Sequence, residues 1–169
     1  MSENYECDEC CDECCDECCC EKKLGRPTRT VLKCGCPGFV AFPNLTAIGT
    51  TATLASLSID TSEFEHPCIQ LSFTANIGTD IIDGFTFQIF RQCSDQSAPI
   101  PVSGIYEYTR ITATTEAASI NFTVCDNDFC INGCCTYFVL ITVTVTTAST
   151  TYISNATLSA IINDDGCGC

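Results

Sequence analysis

The sequence has no tryptophan, one methionine and one histidine among 169 residues, and only seven lysines and arginines stand against 21 acids. The formal net charge of −14 leaves no basic face for phosphates and argues against a nucleic-acid partner. No apolar run approaches the roughly 18 residues of a membrane span, so we expect no membrane partner. The N-terminus lacks both a basic and an apolar segment, so we expect no secretory signal.

Motifs of catalysis are also missing. The single histidine, His66, lies close to Cys68, but a lone histidine in a turn is usually structural. We find no Gly-rich phosphate loop and no zinc-protease motif, and Asp126-Asn127-Asp128 has only the start of a calcium loop, which is more typical of a turn. We therefore predict that the protein is not an enzyme and that it needs no cofactor, apart from a thiolate-bound metal considered below.

Cysteine is what the chain has in abundance, with 18 residues. Eight of them lie in a repeated Cys-Asp-Glu-Cys arm near the N-terminus: Cys7, Cys10, Cys11, Cys14, Cys15, Cys18, Cys19 and Cys20. This arm contains almost nothing apolar except sulfur, so it cannot fold by burial alone. We expect its sulfurs to be held by disulfides to other segments or other copies, or by metal ions.

The geometry of the arm leaves these alternatives open. In an extended arm, the two members of each Cys-Cys pair point to opposite sides and reach two partners, which suits a strap between subunits. A helix would gather the same sulfurs into one stripe, but it would also place Asp8, Asp12 and Asp16 four residues apart at a cost of about 0.2–0.5 kcal/mol per pair. A stripe or loose coil suits a thiolate cluster of zinc, copper or iron on the eight arm cysteines. We favour the strap over the cluster, and an unbound, reduced tail is the third alternative.

The body has the pattern of an all-β domain. Short alternating segments rich in threonine and other β-branched residues predict eight or nine strands and no helix. We predict an antiparallel jelly-roll β-sandwich, and an up-and-down barrel is the less favoured option. Residues 1–27 would form the cysteine-rich arm and a basic linker, residues 28–165 the sandwich, and residues 166–169 a cysteine-containing tail.

Three local patterns refine this prediction. In the segment from Thr50 to Asp60, Leu57 and Ile59 are out of step with Leu54, which predicts a strand with a bulge. Two prolines between Ala98 and Val102 predict a loop or an edge strand. Asn132-Gly133 is a hairpin signal.

The body cysteines divide into two groups. Four lie at predicted strand ends and are the expected docking partners for the arm, or for the tail cysteines Cys167 and Cys169: they are Cys34, Cys36, Cys134 and Cys135. The others are expected to be small buried residues or to form internal bridges: they are Cys68, Cys93, Cys125 and Cys130. The sequence leaves their pairing open.

Three stretches carry a resemblance to a known family: the cysteine-studded arm, the run from Val31 to Gly38, and the segment from Asp60 through Pro67 to Ile77. They resemble the subunits of bacterial endospore appendages, the Ena-type fibres, and related Cys-rich clostridial families of unknown function. The resemblance implies a jelly roll that polymerises by strand addition, and a connector whose Cys-Cys pair forms disulfides to earlier subunits. It implies that role for Cys10-Cys11, Cys14-Cys15 and Cys18-Cys19, and the excess of arm cysteines here leaves room for metal.

Our first hypothesis is a self-assembling structural subunit of a disulfide-cross-linked fibre on a spore surface or outside the cell, reached without a signal peptide. Its partners are copies of itself in a helical or linear polymer, since a free edge strand is a template for another copy. The alternative is a metal-binding protein with a thiolate cluster in the arm. A weaker third hypothesis is a carbohydrate- or receptor-binding sandwich with Tyr106, Tyr108 and Tyr137 as its platform, although half-buried strand tyrosines are the simpler interpretation.

Overall fold

A computed structural model of the protein describes residues 29–62, 64, 66–79, 83–110, 116–126 and 134–164. These residues form ten β-strands and, within those ranges, no helix. The strands are β1 Thr30–Cys34, β2 Gly38–Phe42, β3 Thr51–Asp60, β4 Cys68–Thr79, β5 Asp83–Cys93, β6 Ile100–Pro101, β7 Tyr106–Arg110, β8 Glu116–Asp126, β9 Cys134–Val145 and β10 Thr151–Asn163. This part of the chain therefore has no helix that could cross a membrane. The arm and the tail lie outside the described residues.

The strands form two antiparallel sheets. Sheet A has the order β1-β10-β4-β8, with β2 also paired to β10, and sheet B has the order β3-β9-β5-β6, with β7 also paired to β5. Because β1 and β2 lie end to end along β10, and β6 and β7 lie end to end along β5, the ten strands fill eight positions. Along the chain, consecutive positions alternate between sheet A and sheet B. The exception is that β5 and the following position, formed by β6 and β7, both belong to sheet B. This is the jelly-roll topology, and it confirms the predicted fold.

The core is the space between the two sheets. Each strand sends alternate side chains into it, as the twofold repeat of a strand requires. The largest fully buried side chains are Tyr137, Phe73, Phe85, Phe87, Ile59, Ile69, Leu71, Ile77, Ile89, Ile141, Ile153 and Leu158. Burial of each aliphatic or phenylalanine side chain of this size contributes about 1.5–3 kcal/mol, so the sandwich is stabilised mainly by this layer.

The two sheets approach each other closely where β1 passes into β2. A Cβ atom added to Gly38 would lie 1.7 Å from the Leu54 carbonyl oxygen of β3, and one added to Gly35 would lie 2.5 Å from that of Ser56. Only glycine therefore allows the β1–β2 segment to lie directly on the backbone of β3. The segment between β1 and β2 does not reverse the chain, because both strands are antiparallel to β10.

Two of the three local patterns are confirmed, and one is wrong. The register of β3 against β9 shifts between Thr53 and Ala55, and this bulge buries Leu54 and Ala55 together. The proline-containing segment forms the two-residue strand β6. The hairpin expected at Asn132-Gly133 is wrong, because β8 and β9 belong to different sheets, although the dipeptide itself lies outside the described residues.

Candidate functional site: the cysteine end of the sandwich

The strand directions give the sandwich two distinct ends. At one end β3, β5, β8 and β10 finish and β1, β4 and β9 begin. We call this the cysteine end. Arg29, the first described residue after the arm, and Asp164, the last one before the tail, both lie here beside paired strand ends. The arm and the tail therefore join the body at the same end.

Most body cysteines are at this end as well. Of the seven cysteines among the described residues, five lie at or next to a strand terminus there: Cys68, Cys93, Cys125, Cys134 and Cys135. Chain order does not bring them together, because they come from β4, β5, β8 and β9. The jelly-roll connections gather them, since alternate strands begin and end on the same side.

One disulfide closes the end of sheet B. Cys93 on β5 and Cys135 on β9 are directly opposite in the register and are bonded to each other. Both are buried, at 3% and 2% exposure. Cys135 is therefore not a partner for the arm, which corrects that prediction, whereas the internal bridge expected at Cys93 is confirmed. Cys68 is disulfide-bonded too.

Four described cysteines are unoxidised and exposed: Cys34, Cys36, Cys125 and Cys134. Three of these were predicted docking positions, and their exposure is what docking requires. Cys125 was expected to be buried or internally bridged, and this expectation is wrong, because Cys125 points away from the core between half-buried Val124 and buried Asp126. The arm cysteines Cys7–Cys20, as well as Cys130, Cys167 and Cys169, lie outside the described residues.

A buried ionic cluster lies just beneath the disulfide. Arg91 Nη1 donates to both carboxylate oxygens of Asp126, at 2.9 and 2.7 Å, and the Tyr137 hydroxyl donates to Oδ2 at 2.9 Å. Asp126 ends β8 in sheet A, whereas Arg91 and Tyr137 belong to β5 and β9 in sheet B. The cluster therefore ties the two sheets together at the cysteine end.

The cluster also explains two details of the sequence. Arg91 continues the inward-facing series of Phe85, Phe87 and Ile89 because it has a buried carboxylate to meet. Asp126 was interpreted as turn or calcium chemistry, but its carboxylate is engaged by Arg91 and Tyr137. Burial, and then the neighbouring charge of Asp126, raise the pKa of Tyr137 well above its ordinary value.

The described part of the chain forms no cluster of metal-ligating side chains. No group of three or more histidine, cysteine or acidic side chains comes together within it. The backbone N–H of His66 donates to Asp164 Oδ1 at 3.0 Å. The cysteine nearby, Cys68, is oxidised and so cannot act as a nucleophile with His66.

The tyrosine platform of the third hypothesis is not formed. Tyr137 is fully buried. Tyr106 is half-buried and stacks on Phe122 of sheet A, with ring centroids 3.8 Å apart. Tyr108 is also half-buried and packs against the core. These residues therefore hold the two sheets together.

Strand β8 forms a free edge of sheet A. It has 11 residues and pairs on one side with β4, and no other described strand pairs with it. Its outward side chains are small and uncharged: Ala117, Ser119, Asn121, Thr123 and Cys125. Between Glu116 and the inward-facing Asp126 at its two ends, this edge has no charge and no proline that would prevent another strand from pairing with it.

The outer face of sheet A is uncharged beyond β8 as well. Among the described residues, the outward side chains of β4 and β10 include no acid and no base. Near the opposite edge, Leu32 lies across from Ile161, and Phe39 stacks on Tyr152 with centroids 6.2 Å apart. Leu32 is 66% exposed and Phe39 is 64% exposed. The outward side chains of these strands are therefore uncharged, although the chain as a whole has a net charge of −14.

Comparison with known proteins identifies one family. The model of a domain of unknown function, DUF4489, matches residues 28–163, which is the whole sandwich. No curated protein matches the chain.

Solved structures with a similar arrangement are distant. A structure of infectious bursal disease virus, Gx strain, aligns at TM-score 0.45 and 10% identity over 84% of this chain and 38% of that one. A carbohydrate-binding module of the β-sandwich superfamily aligns at 0.36 and 13% identity over 75% and 55% of the two chains. A structure described as CBM4 aligns at 0.33 and 13% identity over 73% and 80%. These similarities carry no functional argument.

Proposed function

We propose that this chain, which belongs to the DUF4489 family of domains of unknown function, is the self-assembling structural subunit of a disulfide-cross-linked fibre. One observation carries the proposal: two exposed, unoxidised cysteines, Cys125 and Cys134, lie with the attachment points of the arm and tail at one end of a sandwich in which no other described strand pairs with the outer edge of β8. A fibre subunit needs a surface that another copy can extend and a means of making that contact permanent. Both features are found here in one domain.

The free edge supports the non-covalent part of this assembly. Edge backbone N–H and C=O groups of β8 would pair with an edge strand of the next copy, as in other cases of strand addition. When two different edges join, the contact does not close on itself, and the result is a filament. The uncharged outward side chains of β4 and β10 add no electrostatic repulsion of their own between adjacent copies.

The cysteines support the covalent part. Cys34, Cys36 and Cys134 are accessible to arm cysteines of neighbouring copies, whereas buried Cys93 and Cys135 bond to each other and keep the sandwich intact. Docking of an edge raises the local concentration of the arm thiols, so cross-linking would follow assembly rather than precede it. We place the fibre on a spore surface or outside the cell, where disulfides persist.

Electron microscopy of the full chain under oxidising conditions tests this proposal. We expect filaments from the natural sequence, and we expect Asn121→Lys on the β8 edge to prevent or shorten them. The matched control is Thr74→Lys, which places the same charge on the same face but on the inner strand β4, directly opposite Asn121 in the register. Discrete particles from the natural chain, or equal effects of both lysines, would contradict assembly through the β8 edge.

Elemental analysis of the same sample distinguishes the fibre subunit from the alternative, a metal-binding protein with a thiolate cluster in the arm. A thiolate cluster in the arm would give at least one zinc, copper or iron per chain. We expect less than one, because the fibre uses these cysteines for disulfides. A stoichiometric metal content together with reduced arm cysteines would favour the metal-binding function instead.

A further inference from the structure

The two edges of sheet A each present an exposed cysteine on the same outer face. Cys125 lies on β8, and Cys34 lies on β1. Three strand spacings of about 4.8 Å separate these edges, so the two cysteines are about 14 Å apart across the sheet. Disulfides need Cα atoms within about 7 Å, so these cysteines cannot bond within one chain.

The strand directions would allow these edges to meet between copies. β1 is antiparallel to β10, β10 to β4, and β4 to β8, so β1 and β8 run in opposite directions. A second copy moved sideways in the plane of sheet A therefore presents its β1 antiparallel to β8 of the first. The twist of the sheet adds a rotation of about 20–25° per strand to this step, and the same step can be repeated along a helical path.

The register between the two cysteines is close to matching. The row of partners that starts at Cys34 runs across the sheet through Ser159 and Ser72 to Thr123. Cys125 lies two residues further along β8 on the same face, a distance of about 7 Å along the strand. If the second copy is shifted along the strand direction by two residues, toward the cysteine end of the first copy, its Cys34 lies directly opposite Cys125 of the first copy. Directly opposed residues of antiparallel strands have Cα atoms about 4.5–5.5 Å apart, which is within disulfide range.

From this arrangement we propose that Cys125 of one copy and Cys34 of the next form a disulfide that locks sheet A of the two copies edge to edge. This inference rests on the proposed function, and it adds a body-to-body bond to the cross-links that the arm makes. Because Cys34 is used in this bond, the arm is left with Cys36 and Cys134 as its partners on the body. The inference also names the two edges that join, namely β8 and β1.

The chemistry requires an external oxidant. One thiolate attacks a small-molecule disulfide such as oxidised glutathione, giving a mixed disulfide and one reduced thiol. The second cysteine then displaces the other glutathione as its thiol. The two cysteines lose two electrons and two protons in total, and the small disulfide gains them. Because Cys34 and Cys125 are both exposed, the oxidant can reach either of them first.

Isotope-mixed cross-link mapping of the full chain tests the bond. Nitrogen-14 and nitrogen-15 copies are mixed, oxidised with glutathione disulfide, and digested without reduction by trypsin and an Asp-specific protease. Cys125 is the only cysteine in the resulting peptide 111–125, and peptide 34–59 contains Cys34 and Cys36. We expect these two peptides to be linked, and we expect light peptides joined to heavy ones.

Variants identify the partner and separate this inference from the fibre itself. We expect Cys125→Ser and Cys34→Ser each to abolish the linked pair, and the control Cys36→Ser to retain it. Filaments that lack this pair would overturn the inference and leave the proposed function standing. The inference would also be overturned if both peptides of every linked pair carried the same isotope, because the bond would then lie within one chain. Loss of the pair in Cys36→Ser, but not in Cys34→Ser, would overturn it too. Linked pairs without any filament would support the bond but contradict the fibre.

Discussion

The two ends of the sandwich are held together in different ways. At the cysteine end, a disulfide and a buried ion pair join strands of both sheets. At the opposite end, the chain has no cysteine in any connecting loop; threonine hydroxyls and backbone hydrogen bonds connect the loops there, and Thr151 donates to buried Asp83. Thr147 is fully buried there; its hydroxyl donates to the Pro43 carbonyl at 2.6 Å and accepts from the Thr46 backbone N–H at 2.9 Å.

In the proposed fibre, the cysteine end is the one that would have to withstand force. The arm and the tail join the body at the cysteine end, so tension from cross-linked neighbours would enter the domain there. A covalent bond between β5 and β9 resists separation more strongly than hydrogen bonds do, and the Arg91–Asp126 pair adds a charge-assisted link between the sheets. We therefore expect stability to be concentrated at the cysteine end, and four substitutions test that expectation.

The largest effect is expected from Arg91→Met, which leaves the Asp126 carboxylate buried without its cation. Loss of one partner of a buried ion pair typically costs about 3–5 kcal/mol. Urea unfolding of dilute protein measures this cost. The double variant Arg91→Met/Asp126→Leu is the control, and we expect it to be more stable than the single variant because no charge remains buried. A single variant within 1 kcal/mol of the natural chain would show that the ion pair does not hold this end.

The second effect is expected from Cys93→Ala/Cys135→Ala, which removes the disulfide of the cysteine end. Its cysteines are 42 residues apart in sequence, and a bridge of this kind contributes about 2–4 kcal/mol. The same unfolding measurement applies, under non-reducing conditions. The control is Cys134→Ser, which changes the exposed cysteine next to Cys135 and should leave the free energy of unfolding unchanged. Equal losses in both variants would argue against a specific role for the bridge.

The third effect concerns Tyr137→Phe and depends on pH. Removal of the hydroxyl that donates to Asp126 should cost about 1.5 kcal/mol near neutral pH. Because the folded state raises the pKa of Tyr137, it retains a proton that the unfolded chain releases above about pH 10. The natural chain should therefore lose about 1.4 kcal/mol per pH unit from this group as the pH rises above 10. If the stability difference between the natural chain and the variant stayed constant from pH 9 to pH 11, this linkage would be wrong.

The smallest effect is expected at the opposite end. Thr147→Val removes the hydroxyl that connects the β2–β3 loop to the β9–β10 loop, at a cost of about 1 kcal/mol. Hydrogen exchange should show faster opening of residues 43–50 without a change at the cysteine end. Thr146→Val is the matched control, because Thr146 is exposed. If Thr147→Val lowered the free energy of unfolding as much as Arg91→Met does, the expected difference in stability between the two ends would be wrong.

Local patterns in the sequence were sufficient for the fold class. Alternation is a property of a single strand, so the inward face, the bulge at Leu54 and even the inward position of Arg91 could be predicted. The hairpin expected at Asn132-Gly133 failed because a dipeptide specifies a turn but not the sheet to which the following strand belongs. Strand pairing depends on contacts distant in sequence, which local periodicity does not encode.

The site was less predictable for the same reason. The bond between Cys93 and Cys135 depends on β5 lying beside β9, and no spacing of cysteines indicates that. The burial of Asp126 depends on an arginine 35 residues earlier in the chain. The exposure of Cys125 could have been inferred from its phase, since Ile120, Phe122 and Val124 occupy the alternate inward positions of the same strand.

Denaturing electrophoresis of the oxidised full chain, with and without a thiol reductant, tests the central claim most directly. The account predicts a ladder of covalent multimers, or material too large to enter the gel, that collapses to the 18.2 kDa chain on reduction. A single monomer band without reductant, from protein whose exposed cysteines have had access to a disulfide oxidant, would contradict it.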